Sequence, residues 1–259
     1  MGTSSKWRGP AGQPWIGVSG NVARQLDLVS ARTADKIPLP RPDDTEVCLG
    51  RDVIADRGTR FRVALAAALR KDPAAFDLYA TMHDHGRLLV RIAGSLVTTG
   101  FDALNPPPPE WSAGDEDWFV YQFAQGVAGD GNTLVDAMAR RAVVRCAERI
   151  LREQKSSRAD DRLSTELFCL VYRLFFAEMV AEFVRAVVAE NIKLAVPGLV
   201  LIDPAGHIAD WVAGQVVDAI PNPCETGHAR GTDGLIIDLA ADLVKDAVER
   251  ALGIDGASW

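Results

Sequence analysis

Apolar residues recur at helical intervals over most of this chain, and no sustained period-two alternation appears anywhere. The clearest pattern is "DGNTLVDAMARRAVVRCAERILREQK" (130–155), where Leu134, Met138, Ala142, Val144, Ala147 and Leu151 define an apolar face. Thr133 stands where a helix N-cap belongs. Asp136, three residues on, completes an acidic variant of the capping box, and arginines gather toward the C-terminal end. Helices are also expected over "TRFRVALAAALRK" (59–71) and over 72–100. The second starts from an Asp72–Pro73 cap and stops at Gly100, and Gly86 is a candidate for dividing it in two. "DEDWFVYQFAQGVAG" (115–129) adds a helix with acids at its positive end.

The most apolar stretch, within 163–192, is broken by Arg173, Glu178, Glu182 and Arg185. Those charges are too costly for a lipid span. Their spacing predicts a long helix with a broad buried face and a narrow polar face in water. "LAVPGLVLI" (194–202) is too short to cross a bilayer. A helix from Asp203–Pro204 carries a stripe of Ile208, Trp211, Val212, Gln215, Val216 and Ala219 and ends at Pro221. The last helix, 233–253, closes at Gly253.

Two segments break the periodicity. The four consecutive prolines of "NPPPPEW" (105–111) demand an extended strut. The first fifty residues hold only one candidate short helix (20–33) and an extended "KIPLPRPDD" (36–44). The expected architecture is therefore all-α. An irregular helical bundle over 51–259, with a proline-rich break at 105–110, follows an extended arm over 1–50.

Composition sharpens this only in part. At 259 residues, 48% hydrophobic and 24% charged, the chain can bury a sizeable core. A net charge of −7 argues against general nucleic-acid binding. Cys48, Cys146, Cys169 and Cys224 form no close pair, which reads as reduced thiols in a cytoplasmic protein. The opening "MGTSSKWRGPAGQPW" lacks the apolar run of a secretory signal, and Lys6 occupies the hydroxyl position of a myristoylation motif.

Candidate chemistry is sparse. His83, Asp84 and His85 in "MHDHG" offer a metal-binding His-x-His, which needs Gly86 to break the helix, because residues two apart on a helix point roughly 200° apart. Cys224 and His228 in "PNPCETGH" lack partner ligands and read as a turn between helices. "GVAGDG" (126–131) lacks the lysine and hydroxyl of a phosphate loop. Arg141, Arg145, Arg149 and Arg152 share one helical face, extended by Lys155 and Arg158. That face serves either a partner or an internal pairing, for instance with the acids of the last helix. Trp7 and Trp15, set among glycines and prolines, are candidate anchors for a partner protein.

Three stretches carry a family resemblance. They are "MGTSSKWRGP", "TRFRVALAAALR…FDLYATM…GRLLVRIAG" and "GDGNTLVDAMARRAVV". With these the chain resembles the QatB-like component of the four-protein Qat anti-phage systems of bacteria. The resemblance implies a non-enzymatic subunit working beside an ATPase, a QueC-like enzyme and a TatD-like nuclease. It implies no catalytic residues; beside it, no cofactor and no membrane are expected, and nucleic acid is not expected as a direct sequence-specific ligand. The competing expectation is a small metal-dependent hydrolase built on His83, Asp84 and His85.

Overall fold

The computed structural model describes residues 51–72, 74, 77–131, 133–156, 162–195, 204–230 and 236–255. The helices run α1 (Arg51–Lys71), α2 (Leu78–Thr98), α3 (Asp115–Ala128), α4 (Leu134–Ser156), α5 (Thr165–Ala195), α6 (Pro204–Ala219), α7 (Pro223–Arg230), α8 (Ile236–Asp242) and α9 (Val244–Leu252). A 3-10 turn, Phe101–Ala103, follows α2. No strand occurs among the described residues, so the fold is all-α. The arm, with its candidate helix at 20–33, lies outside the described residues, as does most of the 194–202 crossing.

The helix α5 is the axis of the core. Phe168, Val171, Tyr172, Phe175, Phe176, Met179, Val180, Phe183 and Val184 are all buried. Side chains on every side of a helix are buried only when other helices surround it. Here α2, α4, α6 and α9 do so. The amphipathic reading of 163–192 is therefore corrected: its polar stripe faces protein, not water. Tyr172 and Phe176 meet edge-on with centroids 5.2 Å apart, and so do Phe175 and Phe176. Both geometries suit the ring quadrupole.

Local chemistry explains the boundaries. Thr133 and Asp136 form the expected capping box, with Asp136 N donating to Thr133 Oγ1 at 3.0 Å and Thr133 N to Asp136 Oδ2 at 2.9 Å. Gly253, at φ 67°, reverses the end of α9, where Ile254 N donates to Glu249 O at 2.8 Å. Four expectations fail. The helix after 72 begins at Leu78, while Asp72 accepts from Ala74 N in the connection. Gly86 does not divide α2. A Cβ there would lie 2.7 Å from Phe176 Cζ, so the glycine permits the close approach of α5. "PCETGHAR" is the helix α7 and not a turn. Asn222 starts it by accepting from Cys224 N at 3.1 Å. The 233–253 helix is two pieces, α8 and α9, meeting at Leu243.

Candidate interaction surfaces and the charge network beneath them

The histidine pair is taken up by the fold. His85 Nδ1 lies 2.9 Å from the Val127 carbonyl at the end of α3, and its Nε2 lies 3.4 Å from Asp136 Oδ1 at the start of α4. Both ring nitrogens thus tie α2 to the α3–α4 junction. His83 contacts only its neighbour Asp84, at 3.3 Å. Because α2 is continuous, the two imidazoles diverge, and no group of three metal-ligating side chains occurs among the described residues. Burial alone would raise the Asp136 carboxyl. The Thr133 hydroxyl and amide, with His85, outweigh it and hold the carboxyl below its ordinary range.

The arginine face divides. Arg145 donates to Glu178 at 2.7 Å and lies 3.3 Å from Glu182. Arg141 reaches Glu182 at 3.3 Å while most of its side chain, 64%, stays exposed. From α5 itself, Arg185 joins Glu182 at 2.7 Å, Glu178 at 3.7 Å and Asp210 of α6 at 2.5 Å. Three guanidiniums thus balance three carboxylates across α4, α5 and α6. Glu182 is 3% exposed, and a carboxylate that deep survives as an ion only when paired. Burial raises the Glu178 carboxyl above its usual range despite Arg145 and Arg185. Burial would lower Arg185, but Glu182, Asp210 and Glu178 raise it further. Arg149 pairs along its own helix with Glu153 at 2.8 Å. Arg152 is exposed. The α4 face is thus half committed to the fold, and the acids that pair with it from another helix, Glu178 and Glu182, come from α5 rather than from the last helix.

A second surface was not singled out from sequence. Trp111, Trp118 and Tyr121 form a continuous aromatic cluster, with centroids 4.8 Å apart for the two tryptophans, 5.6 Å for Trp111–Tyr121 and 5.4 Å for Trp118–Tyr121. Trp118 Nε1 donates to Asn105 O at 2.7 Å, which fastens the proline segment to α3. Tyr121 is 45% exposed, unusual for so large a ring. Beside it a groove of about 620 Å³ runs along Pro106, Pro107, Phe101 and Trp118, edged by Asp102, Asp115 and Glu116. The sequence signal was the i,i+3 spacing of Trp118 and Tyr121. Trp111 lies outside the helix, and only the three-dimensional turn brings it in. Trp7 and Trp15 lie outside the described residues.

The cysteines also depart from expectation. Cys169 of α5 and Cys224 of α7 form a disulfide. They are 55 residues apart, so no close-pair motif announces them. Cys146 is free and buried, and burial raises its thiol well above the ordinary range. Cys48 lies outside the described residues. No helix among those described is long and apolar enough to cross a membrane. No protein-family model, curated protein or solved structure matches the chain.

Proposed function

We propose that this chain is a non-enzymatic, protein-binding subunit of a multi-protein bacterial antiviral assembly, the role implied by its resemblance to QatB-like proteins. The observation that best supports a binding role is the aromatic cluster of Trp111 with Trp118 and Tyr121 of α3, beside the proline segment. Tryptophan and tyrosine dominate binding energy at protein interfaces because they bury large area at little cost in conformational entropy. The Asp102, Asp115 and Glu116 edge of the adjoining groove selects a basic segment of the partner and repels nucleic-acid phosphates.

The partners in this reading are the proteins of the same defence operon: an ATPase, a QueC-like enzyme and a TatD-like nuclease. The arm, through Trp7 and Trp15, supplies a second contact, and Arg152 with the outer part of Arg141 a third. Placement in the cytoplasm is the expectation from unpaired, reduced cysteines, and the Cys169–Cys224 bond removes that support. There the Cys169–Cys224 pair meets a reducing pool, and its burial on α5 and α7 is what would shield it. Co-purification of the tagged chain from its native operon tests the reading, with Tyr121→Ala and Trp111→Ala as the variants that should release the partner.

A further inference from the structure

A cleft of about 350 Å³ between α1 and α6 has a lining unlike any other part of the molecule described above. Its polar groups are all hydrogen-bond donors or neutral amides and hydroxyls: Arg62 and Arg70 from α1, Thr59, and Gln215 from α6. Its apolar wall is Trp211 with Val63, and Val63 is among the most exposed large hydrophobic side chains of the described residues. No carboxylate lines it. In a chain with a net charge of −7, a cleft holding two guanidiniums and no acid has a definite electrostatic preference.

The walls are fixed in advance. Trp211 rests its six-membered ring directly on Gly58, where a Cβ would fall 2.2 Å from Cε3, so only glycine admits that seat. Arg70 Nη2 donates to the Gly253 carbonyl at 2.6 Å, which holds the guanidinium over the cleft. Arg62 is different. It forms no ion pair at contact distance among the described residues, and burial disfavours its charge, with Asp255 only partly restoring it. A half-buried guanidinium in that condition gains from an anion more than a solvated one does.

We infer that this cleft binds a small aromatic phosphate, with the phosphate on Arg62 in the field of Arg70 and the planar ring against Trp211. Gln215, one turn beyond Trp211 on α6, is placed to bond the polar edge of that ring. The volume falls in the range of small-ligand sites. Guanidinium geometry suits phosphate, and a tryptophan face suits a flat π-system. The site is separate from the aromatic cluster, so it stands or falls independently of the proposed docking role.

The test is calorimetric titration of the full chain with adenosine monophosphate and, separately, phenyl phosphate. Inorganic phosphate and adenosine serve as the charge-only and ring-only arms. Saturable binding of one aromatic phosphate per chain is expected, with each partial ligand weaker by about tenfold or more. Arg62→Gln should weaken binding by about tenfold while the melting temperature holds. Gln215→Ala, at an exposed position, should weaken the nucleotide but not phenyl phosphate. The proposal is overturned if neither aromatic phosphate saturates below about 1 mM. It is equally overturned if inorganic phosphate binds as well as both, or if folded Arg62→Gln binds unchanged. Should Arg62→Gln melt early, an unchanged nucleotide affinity in Gln215→Ala overturns it.

Discussion

Arg145 on α4 donates a 2.7 Å hydrogen bond to Glu178 on α5, a carboxylate that burial holds above its usual range even with that partner in place. The pair closes a network in which every charge has a partner on another helix, and it commits the inner part of the α4 arginine face to the fold. Removing Arg145 leaves Glu178 and Glu182 with Arg185, and Glu182 also with Arg141. Arg145→Met should cost about 1–3 kcal/mol, because Glu178 and Glu182 lose a shared, partly exposed cation but keep Arg185. Urea denaturation measures it. Arg145→Glu should fail to fold. The pH dependence follows from sign. A carboxyl raised in the folded state favours folding most below its unfolded pKa, and that contribution is lost as pH climbs through the folded value. Without Arg145 the Glu178 carboxyl rises further, so the deficit of Arg145→Met should be larger at pH 8 than at pH 5.

His85 and His83 should separate cleanly. His85→Gln loses contacts to Val127 and Asp136, and should cost about 1 kcal/mol in thermal denaturation. His83→Gln should cost almost nothing, since its contact is with an exposed neighbour. Asp136→Asn removes the carboxylate of the capping box, at about 1 kcal/mol near neutral pH. Because the Asp136 carboxyl is held low in the fold, its contribution is present above the unfolded value and fades as pH falls through the folded one. The Asn variant should therefore converge with the parent in acid. Neither histidine variant should alter bound metal by elemental analysis.

Tyr172 has a buried hydroxyl with no hydrogen-bond partner among the described residues, and burial raises its ionisation well above the ordinary range. Tyr172→Phe removes that cost and leaves the edge-on contact with Phe176 intact. It should stabilise the protein by about 1 kcal/mol. A lowered melting temperature would mean that the hydroxyl is satisfied.

The disulfide makes a chemical prediction. Rapid alkylation of cells followed by peptide mapping should recover the Cys169 and Cys224 peptides linked. Cleaving the bond should remove up to about 4 kcal/mol of chain-entropy stabilisation for a loop of 55 residues. Recovery of both as alkylated thiols would place the pair in the reduced state.

Which features were legible in the sequence follows from range. The Thr133–Asp136 box and the Gly253 stop involve residues within one helical turn, so spacing suffices. Asn222-Pro223-Cys224-Glu225 carries the same kind of local helix-start signal, an asparagine cap followed by proline at the first helical position. Glu178, Glu182 and Arg185 were read correctly as one stripe, but periodicity cannot say whether a stripe meets water or the arginines of another helix. The same limit hid Cys169–Cys224 and the meeting of Trp111 with Trp118. Each depends on where the chain returns in space, which local spacing does not encode.

The aromatic cluster should matter to partners far more than to the fold. Tyr121 is 45% exposed, so its truncation removes little core area. Deleting residues 2–16, with Trp7 and Trp15, should likewise leave stability within a few degrees while weakening assembly.

The most direct measurement is quantitative co-purification of the tagged chain from its native operon, comparing the parent with Tyr121→Ala and Trp111→Ala alongside melting curves of each free protein. Loss of about 2 kcal/mol or more per anchor, seen as a drop of at least tenfold in recovered partner at an unchanged melting temperature, is the predicted result. Undiminished partner recovery in both variants would contradict the account.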